Sequence, residues 1–175
     1  MYDDLKTGDI MLTSKGSYIA KIMNFFQKDP CYWGHALVIN KENNSALEAY
    51  FSLREISLDE VFANKRHRYY KIVRYKDLTE DQAKVLIKTM QSILGELYNI
   101  KRIILQLFDH IFDTNWFTKL SKDRKDQVCS SYVAWGYYVA CKLKFNGVEW
   151  ESCDPDDIED HVNANPETWF VVKEV

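Results

Sequence analysis

A chain of 175 residues, 46% hydrophobic and 14% aromatic with three prolines and six glycines, has the balance of one globular domain with its own core, which excludes a disordered or fibrous chain. Its 23 Lys and Arg against 26 Asp and Glu give a formal net charge of −3. The only basic cluster, Lys65-Arg66-His67-Arg68, is too short for a nucleic-acid face, so no nucleic-acid partner is expected.

Residues 1–175 are read as a single domain, because no repeat, low-complexity tract or linker divides them. The start, Met1-Tyr2-Asp3-Asp4-Leu5-Lys6, carries acids where a secretory leader would carry bases, and no apolar run reaches the roughly 20 residues of a membrane span. A cytoplasmic protein without stable membrane insertion is therefore expected. Oligomeric state is left open.

After Gly8, the apolar run Asp9 to Thr13 predicts a buried strand, and Ser17 to Phe26 a weakly amphipathic helix ending before Pro30. A hairpin follows: His35 to Asn40, the turn Lys41-Glu42-Asn43-Asn44, then Ser45 to Tyr50. Further strands are predicted over Arg68 to Tyr75 and Thr168 to Val172. Thr79 with Gln82 three residues on has the form of a capping box. It opens a helix whose apolar residues Ala83, Ile87, Met90 and Leu94 share a face, and which breaks near Gly95. A markedly apolar helix is expected from Ile100 to Phe112 and a charged loop from Ser121 to Gln127. A third helix runs from Ser130 to Leu143, and Asp154-Pro155-Asp156-Asp157-Ile158 opens a short last one.

The chemistry rests on the cysteines at 31, 129, 141 and 153, which form no Cys-x-x-Cys pair or Cys/His cluster, so neither structural metal nor any other cofactor is expected. A thiolate is stabilised at a helix N-terminus by the macrodipole and the unpaired N–H groups, which can also hold an oxyanion. Only Cys129 clearly sits there. Cys141 lies twelve residues on, rotated about 120° around the helix. Cys153 stands beside acids in what reads as a polar loop, and Cys31 follows a proline.

A turn centred on Asn43 pairs residues whose numbers sum to 85, so Leu37 opposes Glu48 and His35 opposes Tyr50. Alternation then puts His35, Leu37, Glu48 and Tyr50 on one face, with His35 and Glu48 as diagonal neighbours about 7–8 Å apart along the backbone. A glutamate can close that gap, fix the imidazole tautomer and leave the other ring nitrogen for a thiol. The candidate triad is Cys129 as nucleophile, His35 as base and Glu48 as the group orienting the base. His110 is a reserve base, whereas His67 and His161 lie in charged surroundings.

In order, Gly8-Asp9-Ile10, Tyr32-Trp33-Gly34-His35, Leu47-Glu48-Ala49, Gly95-Glu96-Leu97-Tyr98 and Val128-Cys129-Ser130-Ser131-Tyr132 resemble the YiiX/YaeF-like branch of the circularly permuted NlpC-type papain-like hydrolases. The resemblance, over roughly residues 8 to 160, implies an α+β papain-like fold in which a small antiparallel sheet packs on the helix carrying the cysteine. It implies the same three triad residues and adds Tyr98, whose hydroxyl would help an oxyanion hole. Leu97 and Asn99 depart from the proline and aspartate frequent in the family.

The implied activity is a cysteine peptidase or amidase acting through a thioester on a peptide or isopeptide bond, such as one of a cell-wall peptide. An acyl-chain or lipid hydrolase or acyltransferase, as in the retinol-acyltransferase-like branch, ranks second. That branch's Asn-Cys-Glu-His run is absent. The apolar run Ile103 to Phe112 mildly favours a lipid-like ligand. A non-catalytic binding module of the same fold is the third reading, and it would hold Cys129 away from His35.

Overall fold

The computed structural model describes residues 2–14, 33–50, 52–64, 69–95 and 129–175. These form an α+β fold built on a six-stranded antiparallel sheet: β1 (Ile10–Ser14), β2 (Trp33–Asn40), β3 (Ser45–Ala49), β4 (Leu53–Ser57), β5 (Tyr70–Tyr75) and β6 (Trp169–Glu174), in the order β4-β3-β2-β1-β5-β6. Four α-helices are described: α1 (Leu58–Ala63), α2 (Glu80–Gln91), α3 (Cys129–Cys141) and α4 (Pro155–Ala164). Short 3₁₀ turns at Phe145–Gly147 and Trp150–Ser152 join α3 to α4. None of the described helices is long and apolar enough to cross a membrane.

The expected elements within these residues form close to their sequence limits. Thr79 and Gln82 make a reciprocal capping box on α2, and Asp154 with Asp157 makes another on α4, with Pro155 in the first turn. Both boxes satisfy N–H groups that a helix start leaves open. Helix α2 ends at Gln91, and the chain turns through Gly95 at φ 85°. The expected helices over 17–26 and 100–112, and the loop over 121–127, lie outside the described residues, as do Cys31, His67, Tyr98 and His110.

Strand β4 and helix α1 were not among the expected elements. Leu53 and Ile56 are buried on opposite faces of β4. Ser57 caps α1 by accepting from the Glu60 N–H at 3.2 Å. The run Ser57-Leu58-Asp59-Glu60 carries the Ser-x-x-Glu form that signals such a start.

Alternation along the strands divides the core. Ile10, Leu12, Ala36, Val38, Leu47, Ala49 and Val73 pack with Leu86, Met90, Tyr132, Val133 and Tyr137 of α2 and α3. On the other face Met11, Leu37, Ile39, Ala46, Ile56 and Ile72 pack with Leu5, Leu58 and Val61. Period-two strands that are buried on both faces read as continuous apolar runs, and β1 and β2 do.

Helix α3 lies close to α2 because Gly136 has no side chain. A Cβ there would stand 2.7 Å from Leu86 Cδ1 and 2.9 Å from Met90 Cγ. Gly136→Val is therefore expected to destabilise by about 1–3 kcal/mol through overpacking, read as a lower urea midpoint at unchanged m-value. Gly8 is fixed by both backbone and space. Its φ is +95°, and a Cβ would fall 2.3 Å from Leu78 Cδ2. Its carbonyl accepts the buried Tyr137 hydroxyl.

Candidate active site

The β2–β3 ladder runs Leu37↔Glu48, Val38↔Leu47, Ile39↔Ala46 and Asn40↔Ser45, so every pair sums to 85 as the turn predicts. Asn44 carries the positive φ of 52° that closes this turn, which suits an asparagine. The ladder ends at Leu37↔Glu48. Beyond it His35 pairs with Thr13 of β1. Tyr50 lies past the end of β3, yet its ring still meets the His35 ring edge-on, 6.4 Å between centroids.

The expected diagonal contact forms. His35 Nε2–H donates to Glu48 Oε2 at 2.7 Å. The Glu48 side chain is 1% exposed and that of His35 14%, so the bond is largely shielded from water, where charge-assisted bonds are strong. With Nε2 turned to Glu48, Nδ1 is the ring nitrogen left for a thiol.

That thiol is Cys129, the first residue of α3. Burial would push its pKa up, but the adjacent His35 imidazolium, a hydrogen bond with that ring, and backbone hydrogen bonds at Ala36 and Ser130 outweigh burial and bring it below the usual thiol range. The sulfur thus sits among donors that favour the thiolate. On the other side of the pair, burial opposes a charged His35, but the charge of and hydrogen bond to Cys129, together with those of Glu48, raise its pKa to about 10. Burial likewise opposes ionised Glu48. The hydrogen bonds and charges of His35 and Arg54 prevail and lower its pKa to about 2.

Two residues before His35, Trp33 packs in the same core as Cys129. His35 and Glu48 share the alternation of Leu37 and Ala46, which belong to the core beneath α1, whereas Cys129 belongs to the core beneath α2 and α3. They come together where the β2–β3 ladder stops and the start of α3 packs against β2 and β3. Ser130 Oγ fixes that start by donating to the Cys153 carbonyl at 2.7 Å.

The other described cysteines differ in kind. Cys141 is half-buried, its thiol bonds back to the Tyr137 carbonyl at 3.2 Å, and burial raises its pKa. Cys153 is not in a polar loop: it is 2% exposed, because the Trp150–Ser152 turn folds it into the core beside α3. Burial and the carboxylates of Asp157 and Asp154 raise its pKa strongly. His161 packs edge-on against Phe145 and Trp169, far in role from a base.

One residue of this site had no place in the sequence reading. Arg54, directly across the β3–β4 ladder from Glu48, donates Nε–H to Glu48 Oε1 at 2.8 Å and brings Nη2 within 2.5 Å of the same oxygen. The signal that could have found it was the Ser57 cap, which sets the end of β4 and so its register.

No protein-family model matches the chain, and no curated protein matches it. Among solved structures it is similar to the crystal structure of metalloprotein yiiX from Escherichia coli O157:H7. The two share 16% identity with a TM-score of 0.64 over 98% of each chain. The likeness shows that the two share a fold along their whole length.

Proposed function

We propose that this protein is a YiiX-like cysteine hydrolase of the permuted NlpC, papain-like type, with Cys129 as nucleophile, His35 as acid and base, and Glu48 as the residue that orients His35. The observation that carries the reading is the ordered contact Cys129–His35–Glu48, with the sulfur at a helix N-terminus and His35 Nε2 turned to Glu48. A module that only binds would have no need of a thiol held below its usual range. The strands that bear His35 and Glu48 precede the cysteine helix in the chain, the element order of the permuted type.

In the proposed reaction the Cys129 thiolate attacks an amide carbonyl, forming a C–S bond while the electron pair moves to oxygen. The backbone N–H groups at the start of α3 can stabilise that charge. The pair returns, the C–N bond breaks, and the His35 imidazolium gives its proton to the leaving amine. Water then adds to the thioester as His35 removes its proton. The C–S bond breaks, releasing a carboxylic acid and restoring the thiolate–imidazolium pair. Tyr98, proposed for the oxyanion, lies outside the described residues, as does the 103–112 segment on which the acyl-chain alternative rested.

The yiiX protein is a metalloprotein by name, so the donors here bear on whether a metal fits. Among the described residues no group of three or more His, Cys, Asp and Glu side chains could hold an ion. Glu48 already faces a guanidinium through Oε1 and an imidazole through Oε2. The described residues do not fit a metal centre.

The test is the rate at which iodoacetamide alkylates Cys129 as a function of pH, followed by mass spectrometry. Cys129 should react well below the ordinary thiol pKa of about 8.5, ahead of Cys153 and Cys141. In His35→Ala that advantage should vanish. Equal, slow labelling of all four thiols, indifferent to His35, would remove the basis for catalysis.

A further inference from the structure

Arg54 makes the site a row of four. Cys129 of α3, His35 of β2, Glu48 of β3 and Arg54 of β4 stand in sequence, and their charges alternate: thiolate, imidazolium, carboxylate, guanidinium. The two carboxylate oxygens are divided between neighbours, Oε1 to Arg54 and Oε2 to His35. Glu48 is almost fully buried, and a buried carboxylate with one partner is costly to keep charged.

We propose that Arg54 is a positioning residue for this site: from directly across the β3–β4 ladder it holds the buried Glu48 carboxylate charged and turned so that Oε2 meets His35. The inference rests on the hydrolase reading above and deepens it. Arg54 bonds Glu48 Oε1 and acts on the site through that carboxylate.

The Arg54 guanidinium is itself held. It lies over the Tyr50 ring, 5.2 Å from the centroid, and that ring meets His35 edge-on. Tyr50 thus packs against both cations of the row, and the Glu48 carboxylate lies between them. The planar fork suits a carboxylate better than an ammonium would. The Arg54 side chain is 38% exposed, so its replacement opens no large cavity.

Two further ionisable groups among the described residues bear on the row. Cys153 lies near enough to Cys129 for their charges to interact, but burial keeps it a thiol. Glu55, next to Arg54 in sequence, points the other way, where it accepts from Ser45, Asn40 and Gln91. With Arg54 neutralised, the row keeps two anions and one cation. Both anions then hold their charge less well, so the thiolate forms at higher pH.

The experiment compares Cys129 alkylation against pH in the full chain for wild type, Arg54→Gln, Arg54→Lys and His35→Ala. Arg54→Gln keeps a donor for Oε1 and removes the charge. Its acid limb is expected to move up by about one pH unit, an approximately tenfold lower rate on that limb, with the Glu48 midpoint, read by carboxyl ¹³C NMR, rising alongside. Arg54→Lys should restore most of both. A purely structural role would lower the melting temperature and leave the limb in place, and that result overturns the proposal. If His35→Ala moves the limb and Arg54→Gln does not, Arg54 alone loses its role. If neither moves it, the thiolate–imidazolium reading falls and takes this inference with it.

Discussion

Replacing His35 with Ala is expected to lower turnover of an activated acyl ester or anilide by roughly 10²–10⁴-fold from lost proton transfer alone, and further because the thiolate loses its counter-ion. Burial favours a neutral thiol at Cys129, and the His35 imidazolium and the neighbouring N–H groups reverse this. Without His35 the sulfur would be a protonated thiol at neutral pH, and the leaving amine would lose the proton donor of the proposed reaction. Cys129→Ala should abolish the covalent route altogether. The two effects should not add in the double variant, because residues that act as one unit are lost together. The check is steady-state turnover of the three variants, with circular dichroism to show that each is folded. Full activity in Cys129→Ala would end the hydrolase reading.

The largest expected loss of stability lies away from the sulfur. Asp9 is 1% exposed and takes a bidentate pair from Arg74, Nε to Oδ1 at 2.6 Å and Nη2 to Oδ2 at 2.7 Å. The Lys6 N–H also donates to Oδ2 at 2.8 Å. One carboxylate thus ties the segment before β1 to β5. Asp9→Ala should cost about 3–5 kcal/mol, since it strands a guanidinium that is largely buried. At this chain length that is roughly 10 °C in melting temperature. Removing both partners with apolar residues, Asp9→Leu with Arg74→Met, should recover much of the loss. Equal destabilisation in the single and double variants would show that packing, not the uncompensated charge, sets the cost. Because β1 carries the pairing of Thr13 with His35, the single variant should also slow Cys129 alkylation.

How much of this was legible follows from the range of each signal. The β2–β3 pairing was readable because a short turn fixes register by counting, and one slipped residue would have turned Glu48 away from His35. The starts of α2 and α4 were readable because their caps are local, within three residues. Strand β4 was missed because Leu53-Arg54-Glu55-Ile56-Ser57 is short and half polar, and with it went Arg54. Cys153 was misplaced because its acidic neighbours suggested exposure. Asp154 and Asp157 in fact spend their carboxylates capping α4, which leaves the cysteine to pack beneath α3.

The sequence by itself determined the α+β character, the placing of His35 and Glu48 as diagonal neighbours, and the position of Cys129 at the head of a helix, since each depends on contacts near in the chain. Only the tertiary structure decided that these three meet. The sulfur is 94 residues from His35 in sequence, and the two approach where the β2–β3 ladder ends and α3 packs against β2 and β3. The charge on Arg54 likewise enters through a strand pairing that no local pattern specifies, and long-range pairing is the information a single sequence carries least directly.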